Sequence, residues 1–316
     1  MHKKIILLIL SLIFIISCSS PSNPDNGNEG NNGGSTVPPP TGPTEEELIK
    51  KYGIDIGQDD ATISQQIEAN LKAYYTEMGS YRVIFTGIPK DYTQDGVDSL
   101  SSLIYDAAVK INVSSVDVDL KNIDFKNGAI ESSMFAEGYS SQEAFTLNFI
   151  FPENKITTIK SSAFRTLSSL KQIAIPDSVT VIEQEAFYYC YKLEKLTLSK
   201  NLKTIGDSAF FSLDSLKELI IPDSVTSIGI QTFANLLIKE VSIPASVNTL
   251  GSSAFAGSPN LSTVVYYGTS PDTIQNNDAL SFCAKLTTLI VPNATNPNDE
   301  KWKTFLGGNF TEVKQN

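Results

Sequence analysis

The second half of the chain repeats one hydrophobic pattern. The pairs Ala163-Phe164, Ala186-Phe187 and Ala209-Phe210 recur at 23-residue spacing; Thr232-Phe233 follows at 23, Ala254-Phe255 at 22 and Ala279-Leu280 at 25. Four positions before the first five pairs stands an aliphatic residue (Ile159, Ile182, Ile205, Ile228, Leu250), and Ile274 lies five before the sixth. Each pair leads into an LxxIxI-type run, at residues 170–175, 193–198, 216–221, 238–243, 261–266 and 286–291. Alternation such as Ile173-Ala174-Ile175 predicts a short strand with its isoleucines on one face. Pro176, Pro222, Pro244 and Pro292 stop four of these strands, and Asp177-Ser178 and Asp223-Ser224 begin the turns that follow. The Ala-Phe pairs fill the interior from the opposite wall. One such unit cannot enclose a core. Stacked neighbours bury a continuous apolar column, so the pattern predicts a solenoid.

Written as I-x-x-x-A-F-x-x-[C/L]-x-x-L-x-x-I-x-I-P-x-x-V, the unit resembles the BspA-type leucine-rich repeats of bacterial and protist surface proteins. The resemblance covers residues 156–295 and, more weakly, the chain back to Val113. It implies an α/β repeat solenoid, leucine-rich-repeat-like, with a parallel sheet on its concave side. It also implies an exported surface protein, since several members are tied to adhesion to host matrix proteins or to other bacteria. Departures at Thr232, at Leu280 and at Ser199, where proline is expected, fall in turns and wall packing.

Ahead of the repeats the pattern is helical. Thr44 before Glu45-Glu46-Glu47 is an N-cap signal with carboxylates at a helix start. Ile63, Ile67, Leu71 and Tyr74 share a helical face, with Asp60 or Thr62 as cap. Residues 81–85 read as a strand, and Val97, Leu100, Leu103, Ile104 and Ala108 as another helix. Residues 113–118 and 147–151 match the strand spacing of the repeat. A helix-rich N-terminal cap over 44–125, running into a degenerate repeat, would shield the first apolar face of a solenoid over 126–296. An independent binding domain over the same residues is the alternative. Residues 300–306, with Trp302 and Phe305, suggest a short closing helix inside a C-terminal cap and tail at 297–316.

The first residues have a different logic. Met1-His2-Lys3-Lys4 precedes an apolar run at 5–16. Twelve helical residues span about 18 Å, short of a hydrocarbon core of about 30 Å, so residues 1–17 read as a signal peptide. Ile15-Ile16-Ser17-Cys18 resembles the bacterial lipobox, which implies cleavage before Cys18 and lipidation of that cysteine. Residues 18–43 are then a lipidated, disordered tether of Ser, Asn, Gly, Pro and Thr that cannot offset its ordering entropy. Some 25 residues of coil reach about 25–30 Å.

Composition narrows the chemistry. The 316-residue chain has 24 basic and 35 acidic residues, net −11, which argues against a nucleic-acid partner. Its one histidine, His2, lies in the signal peptide, so histidine triads and histidine metal sites are excluded from the mature chain. No P-loop, G-x-S-x-G, H-E-x-x-H or G-x-G-x-x-G motif occurs, and no metal, cofactor or enzymatic activity is expected. Residues 18–150 hold 8 basic and 20 acidic groups, residues 151–316 hold 14 and 15, so the repeats are nearly neutral. Cys190 and Cys283 occupy the slot of Leu167, Leu213 and Leu236 and read as small buried hydrophobes. Four strand spacings of about 4.8 Å separate them by roughly 19 Å, too far for a disulfide. Two carboxylate pairs, Glu218 with Glu240 and Asp117 with Asp119, have the residue types of a glycosidase but no cleft around them.

The remaining candidate is the outward face of the concave sheet. Alternation places Ser115, Asn148, Gln172, Lys195, Glu218, Glu240, Thr263 and Thr288 in one row. Asp117, Ile150, Ala174, Thr197, Ile220, Ser242, Val265 and Ile290 form the next. Small, polar and aliphatic groups in this mixture suit a protein or glycan ligand better than a small molecule. The chain therefore reads as a surface-displayed adhesion protein anchored to a membrane, outer membrane or cell surface, through Cys18. The rivals are a periplasm-facing scaffold lipoprotein and a carbohydrate-active enzyme.

Overall fold

The computed structural model describes residues 42–137, 145–275 and 278–315. The signal peptide, Cys18 and the tether up to residue 41 lie outside the described residues. The chain divides into two units at Gly42, and the architecture below is that of residues 43–315.

Helix α1 (Glu45–Tyr52) starts on Thr44 with a full capping box: Glu47 N–H donates to Thr44 Oγ1 at 3.3 Å, and the Glu47 carboxylate accepts from Thr44 N–H at 2.7 Å. Strand β1 (Gly53–Asp55) follows directly. Helix α2 (Asp60–Met78) buries Ile63, Ile67, Leu71 and Tyr74, the face its periodicity predicts. Its cap is Asp59 rather than Asp60 or Thr62. A cap residue must keep extended backbone, and Asp59 does so at φ −68°, ψ 154° while accepting from Thr62 N–H. Strand β2 (Arg82–Gly87), helix α3 (Leu100–Lys110) and strand β3 (Ser115–Ile123) complete this part.

From β4 to β14, short strands on one side alternate with longer ones on the other, except where the 216–221 run forms no strand; β14, β15 and β16 then follow one another on the longer-strand side. The order is β4 (Ala129–Ile130), β5 (Thr146–Ile150), β6 (Thr158–Ile159), β7 (Gln172–Ala174), β8 (Val181–Ile182) and β9 (Lys195–Thr197). Then come β10 (Thr204–Ile205), β11 (Ser227–Ile228), β12 (Glu240–Ile243), β13 (Thr249–Leu250), β14 (Thr263–Tyr266), β15 (Thr288–Ile290) and β16 (Glu312–Lys314). All pairings are parallel, as stacked repeats require.

The two-residue strands form an unbroken ladder, β4-β6-β8-β10-β11-β13. Its inward residues are Ile130, Ile159, Ile182, Ile205, Ile228 and Leu250, the aliphatic that precedes each Ala-Phe pair. The longer strands carry the candidate face, in separate groups: β1-β2-β3-β5, β7-β9 and β12-β14-β15-β16. The expected single concave sheet is thus interrupted. The N-terminal region also does more than cap with helices, because β1 and β2 extend the sheet at its first edge.

The Ala-Phe segments form stacked turns, not helices. Ser162, Glu185, Ser208, Gln231 and Ser253, each just before the pair, adopt positive φ between 52° and 58°. The Phe N–H of one unit donates to the Ala or Thr carbonyl of the next at 2.8–2.9 Å, from Phe164–Ala186 through Phe255–Ala279. Beneath these turns Phe135, Phe164, Phe187, Phe210, Phe233 and Phe255 stack with centroids 4.9–5.6 Å apart and planes within 14°. Phe135 heads the file because Ile130 and Met134-Phe135 reproduce the Ile and Ala-Phe positions of an extra, degenerate unit.

At the other end, Glu300–Gly307 is a 3-10 helix broken at Phe305 and Leu306. Trp302 and Phe305 are buried against Tyr266, with centroids 6.1 and 4.8 Å away. The tail then returns as β16, which adds a last strand beside β15. The sequence reading had placed no strand there.

Candidate functional site

The sheet face keeps most of the predicted rows. Gln172 pairs with Lys195 and Ala174 with Thr197. Glu240, Thr263, Thr288 and Glu312 are in register, as are Ser242, Val265, Ile290 and Lys314. The first rows need correction. Asp117 pairs with Asn148 and Asp119 with Ile150, two residues from the expected register, because β5 begins opposite Ser115 at Thr146. Asn148 Nδ2 donates to Asp117 Oδ1 at 3.0 Å and to Ser115 Oγ at 3.2 Å. Val265 is also not outward in effect. It is 7% exposed, flanked in register by both Ser242 and Ile290.

The Asp117–Asp119 carboxylate pair does not exist as a surface pair. Asp119 is fully buried and bonded to Arg82, which also reaches Glu45. Lys121 joins Glu45 at 2.9 Å and Asp119 at 3.7 Å. Burial acts to lower the Arg82 pKa, but its bonds to Asp119, Glu45 and Tyr74 outweigh that and raise it. This cluster ties α1 to β2 and β3 and leaves no free acid for proton transfer.

The face opens between β9 and β12. Residues 217–221 join no ladder, and an isolated Ile220–Ser242 bridge is their one sheet pairing among the described residues. The repeat that follows is one residue short: Phe233 to Ile238 is five positions, whereas Phe210 to Leu216 and Phe255 to Leu261 are six. The Ile220–Ser242 bridge keeps the two runs in register, but no ladder extends from it to either side. A groove of about 1280 Å³ results, holding Glu218, Ile220, Glu240 and Ser242 together. A second groove of about 650 Å³ holds Gln172, Lys195 and Thr197 with Asn148. The two share Lys217, Glu218 and Ile220. Ala174, Thr263, Val265, Thr288 and Ile290 line neither.

Two groove residues escaped the sequence reading. Tyr267 is 41% exposed at the groove wall, with Asn293 Nδ2 donating to its carbonyl at 2.8 Å. Leu237 is 44% exposed at the shortened turn. The 22-residue spacing was the available signal for Leu237. Tyr267 follows the strand in the slot that Pro176, Pro222, Pro244 and Pro292 fill in other units, and that departure was the available signal for it.

The cysteines sit in the wall. Both are free thiols: Cys190 is buried, its Sγ 3.0 Å from the Phe164 carbonyl, and Cys283 is half-buried, 3.4 Å from that of Phe255. Burial raises both thiol pKa values. Among the described residues no group of three or more His, Cys, Asp or Glu side chains could hold a metal, and no helix is long and apolar enough to cross a membrane.

A parallel strand-and-turn solenoid of 22- to 25-residue units defines a leucine-rich-repeat protein. The BspA type leucine rich repeat region matches residues 128–262 and 205–303 in six copies. That is more than half of the chain, and the chain belongs to this family. Among solved structures it is similar to a leucine rich repeat protein of T. pallidum, at 30% identity over 43% of this chain and 66% of that one, TM-score 0.40. It is similar to a leucine rich cell surface protein of Faecalibacterium prausnitzii A2-165, at 22% identity over 57% and 55%, TM-score 0.43. A leucine-rich repeat protein of Bacteroides ovatus ATCC 8483 is 20% identical over 66% and 59%, TM-score 0.36. The chain thus spans between 55% and 66% of the length of these solved relatives. No curated protein matches the chain.

Proposed function

We propose that this chain is a lipid-anchored, surface-displayed repeat protein that binds a macromolecular partner through its sheet face, in adhesion. The observation that carries this reading is the pair of joined grooves around Ile220, which is 66% exposed in the middle of the face. An aliphatic side chain so exposed beside a concavity is an anchor point for a partner. Family membership supports display and adhesion, and the lipobox at Cys18 supplies the membrane attachment. Binding is favoured over glycan hydrolysis: Asp119 is tied to Arg82, and Glu218 and Glu240 are both well exposed, without the burial that prepares a general acid.

Cells displaying the chain with Glu218, Ile220, Glu240 and Ser242 all changed to Ala should lose attachment to immobilised matrix protein and to partner cells. The circular dichroism of the purified variant should not change. Equal attachment rejects the face. Labelling with a clickable fatty acid, lost in Cys18→Ala, tests the anchor. Protease shaving of intact cells tests display, and a protected body would favour the periplasm-facing scaffold.

A further inference from the structure

Three kinds of unmet bonding capacity meet in one groove. The first is apolar. Ile220 and Leu237 are exposed there, beside Pro244 and Tyr267. Singly exposed aliphatics are ordinary, but three exposed apolar groups, Ile220, Leu237 and Tyr267, converging on one open concavity are not. The second is main-chain. Among the described residues the Glu218 N–H and C=O have no hydrogen-bond partner, because the ladder is missing on both sides of it. The third is charge. Lys217 is held by Glu194. Among the described residues Glu218, Asp223 and Glu240 form no ion pair, and Lys239 is the one unpaired cation in the groove. Three carboxylates face one available ammonium.

We infer that this groove docks an extended polypeptide segment in which an aliphatic or aromatic side chain is flanked by Lys or Arg. The inference rests on the binding role proposed above and specifies its occupant. Apolar side chains seat on Ile220 and Leu237, cationic neighbours reach Glu218, Asp223 and Glu240, and the segment's backbone bonds to Glu218. A glycan fits less well, since sugar rings stack on flat aromatic faces, whereas Tyr267 is the one aromatic side chain lining this groove and its other exposed apolar groups, Ile220 and Leu237, are aliphatic. Lys171 and Lys195 of the second groove form no ion pair among the described residues, so the cationic residues of the segment seat in the first groove, on Glu218, Asp223 and Glu240.

The test uses the full chain and three synthetic octapeptides read by fluorescence anisotropy. One carries Leu and Phe between lysines, one replaces the lysines by Glu, and one keeps the lysines but replaces Leu and Phe by Ser. The first should bind at least tenfold tighter than either of the others. Its affinity should fall about tenfold in Glu218→Gln/Glu240→Gln, and similarly between 50 and 500 mM NaCl. Equal binding of the Glu peptide, no binding of any peptide, or full affinity in the Gln double variant overturns the inference. Binding to a glycan array without peptide binding overturns it too. In those cases the cell-attachment result still decides the proposed function by itself.

Discussion

The continuous Phe file makes Phe210→Ala the sharpest test of the architecture. Phe210 is fully buried between Phe187 and Phe233, at 5.2 and 5.5 Å with planes 6° and 2° apart. Truncating a buried Phe to Ala costs about 3–5 kcal/mol, more where the site cannot collapse. Collapse is resisted here by the wall. The Phe187 N–H to Ala209 and Phe210 N–H to Thr232 bonds, both 2.8–2.9 Å, hold the turns apart. Each stacked aromatic pair adds about 0.5–1.5 kcal/mol beyond area burial, partly overlapping the cavity cost. The expected loss is therefore in the upper part of the range, about 4–5 kcal/mol. Phe210→Leu keeps most of the volume and should lose about 1–2 kcal/mol, in keeping with Leu280 in the same slot of the last unit. Urea unfolding should be followed by circular dichroism and by fluorescence of Trp302, the single tryptophan, which sits at the far end of the repeats. Coincident transitions license a single free energy, whereas separated ones reveal repeat-wise unfolding. A loss below about 2 kcal/mol for Phe210→Ala, or one no larger than for Phe210→Leu, would refute the stacked-file account.

Four further outcomes are expected. Phe282 is 89% exposed at φ 61°, in the slot that Asn235 and Gly257 fill at φ 59° and 68°; Phe282→Asn should gain about 0.5–1 kcal/mol by relieving a left-handed aromatic residue, and a lower melting temperature contradicts this. Asp119→Asn should lose about 2–4 kcal/mol in urea because it strips a buried partner from Arg82, with Arg82→Met in the same chain recovering part; no loss would show the pair to be dispensable. Iodoacetamide at pH 8 should leave Cys190 unmodified until the chain unfolds, as judged by peptide mass spectrometry, since burial holds the thiol protonated; rapid native labelling would disprove its packing. Burial raises the Glu137 carboxyl above its ordinary 4.5 despite hydrogen bonds from Ser169 and Ser168, so the folded state keeps this proton to higher pH than the unfolded state; stability relative to Glu137→Gln should fall as pH rises from 4.5 through the raised value, and a rise would reverse the assignment.

The repeat was legible because burial imposes it. Every unit must present Ile, Ala-Phe and the strand aliphatics inward, so self-similarity shows in a single chain. The second ladder was harder to read. Its strands are two residues long, as at Thr204–Ile205, and two residues carry no alternation. Strand β16 escaped for a related reason: Glu312-Val313-Lys314 is one apolar residue among charges, and only the neighbouring β15 makes it a strand. The β3–β5 register depends on which backbone bonds form across a pair, which period-two alternation fixes only modulo two residues. Asp119 was misplaced for the same cause, since its partner Arg82 comes from a strand 37 positions away. The face rows from Gln172 onward were legible. The groove was not, because period-two alternation does not show which neighbouring strands fail to pair.

That loss of pairing bears on one wall alone, and this explains how the solenoid tolerates it. At the short repeat the two-residue ladder continues, with Ser227–Ile228 pairing on both sides to Thr204–Ile205 and Thr249–Leu250. The Phe file also passes through, from Phe210 to Phe233 to Phe255, as does the turn ladder above it. Two of the three lines of repeat-to-repeat contact are therefore intact where the third opens. In a quasi-one-dimensional fold, stability is carried by neighbour interfaces, so a unit held by two lines can release the other without dividing the stack. A deletion in the Ala-Phe turn itself would have no such freedom, because it would offset a ring from its stack and a backbone donor from its acceptor together. The sheet side is the wall on which a repeat of this kind can lose strand pairing and open a binding groove.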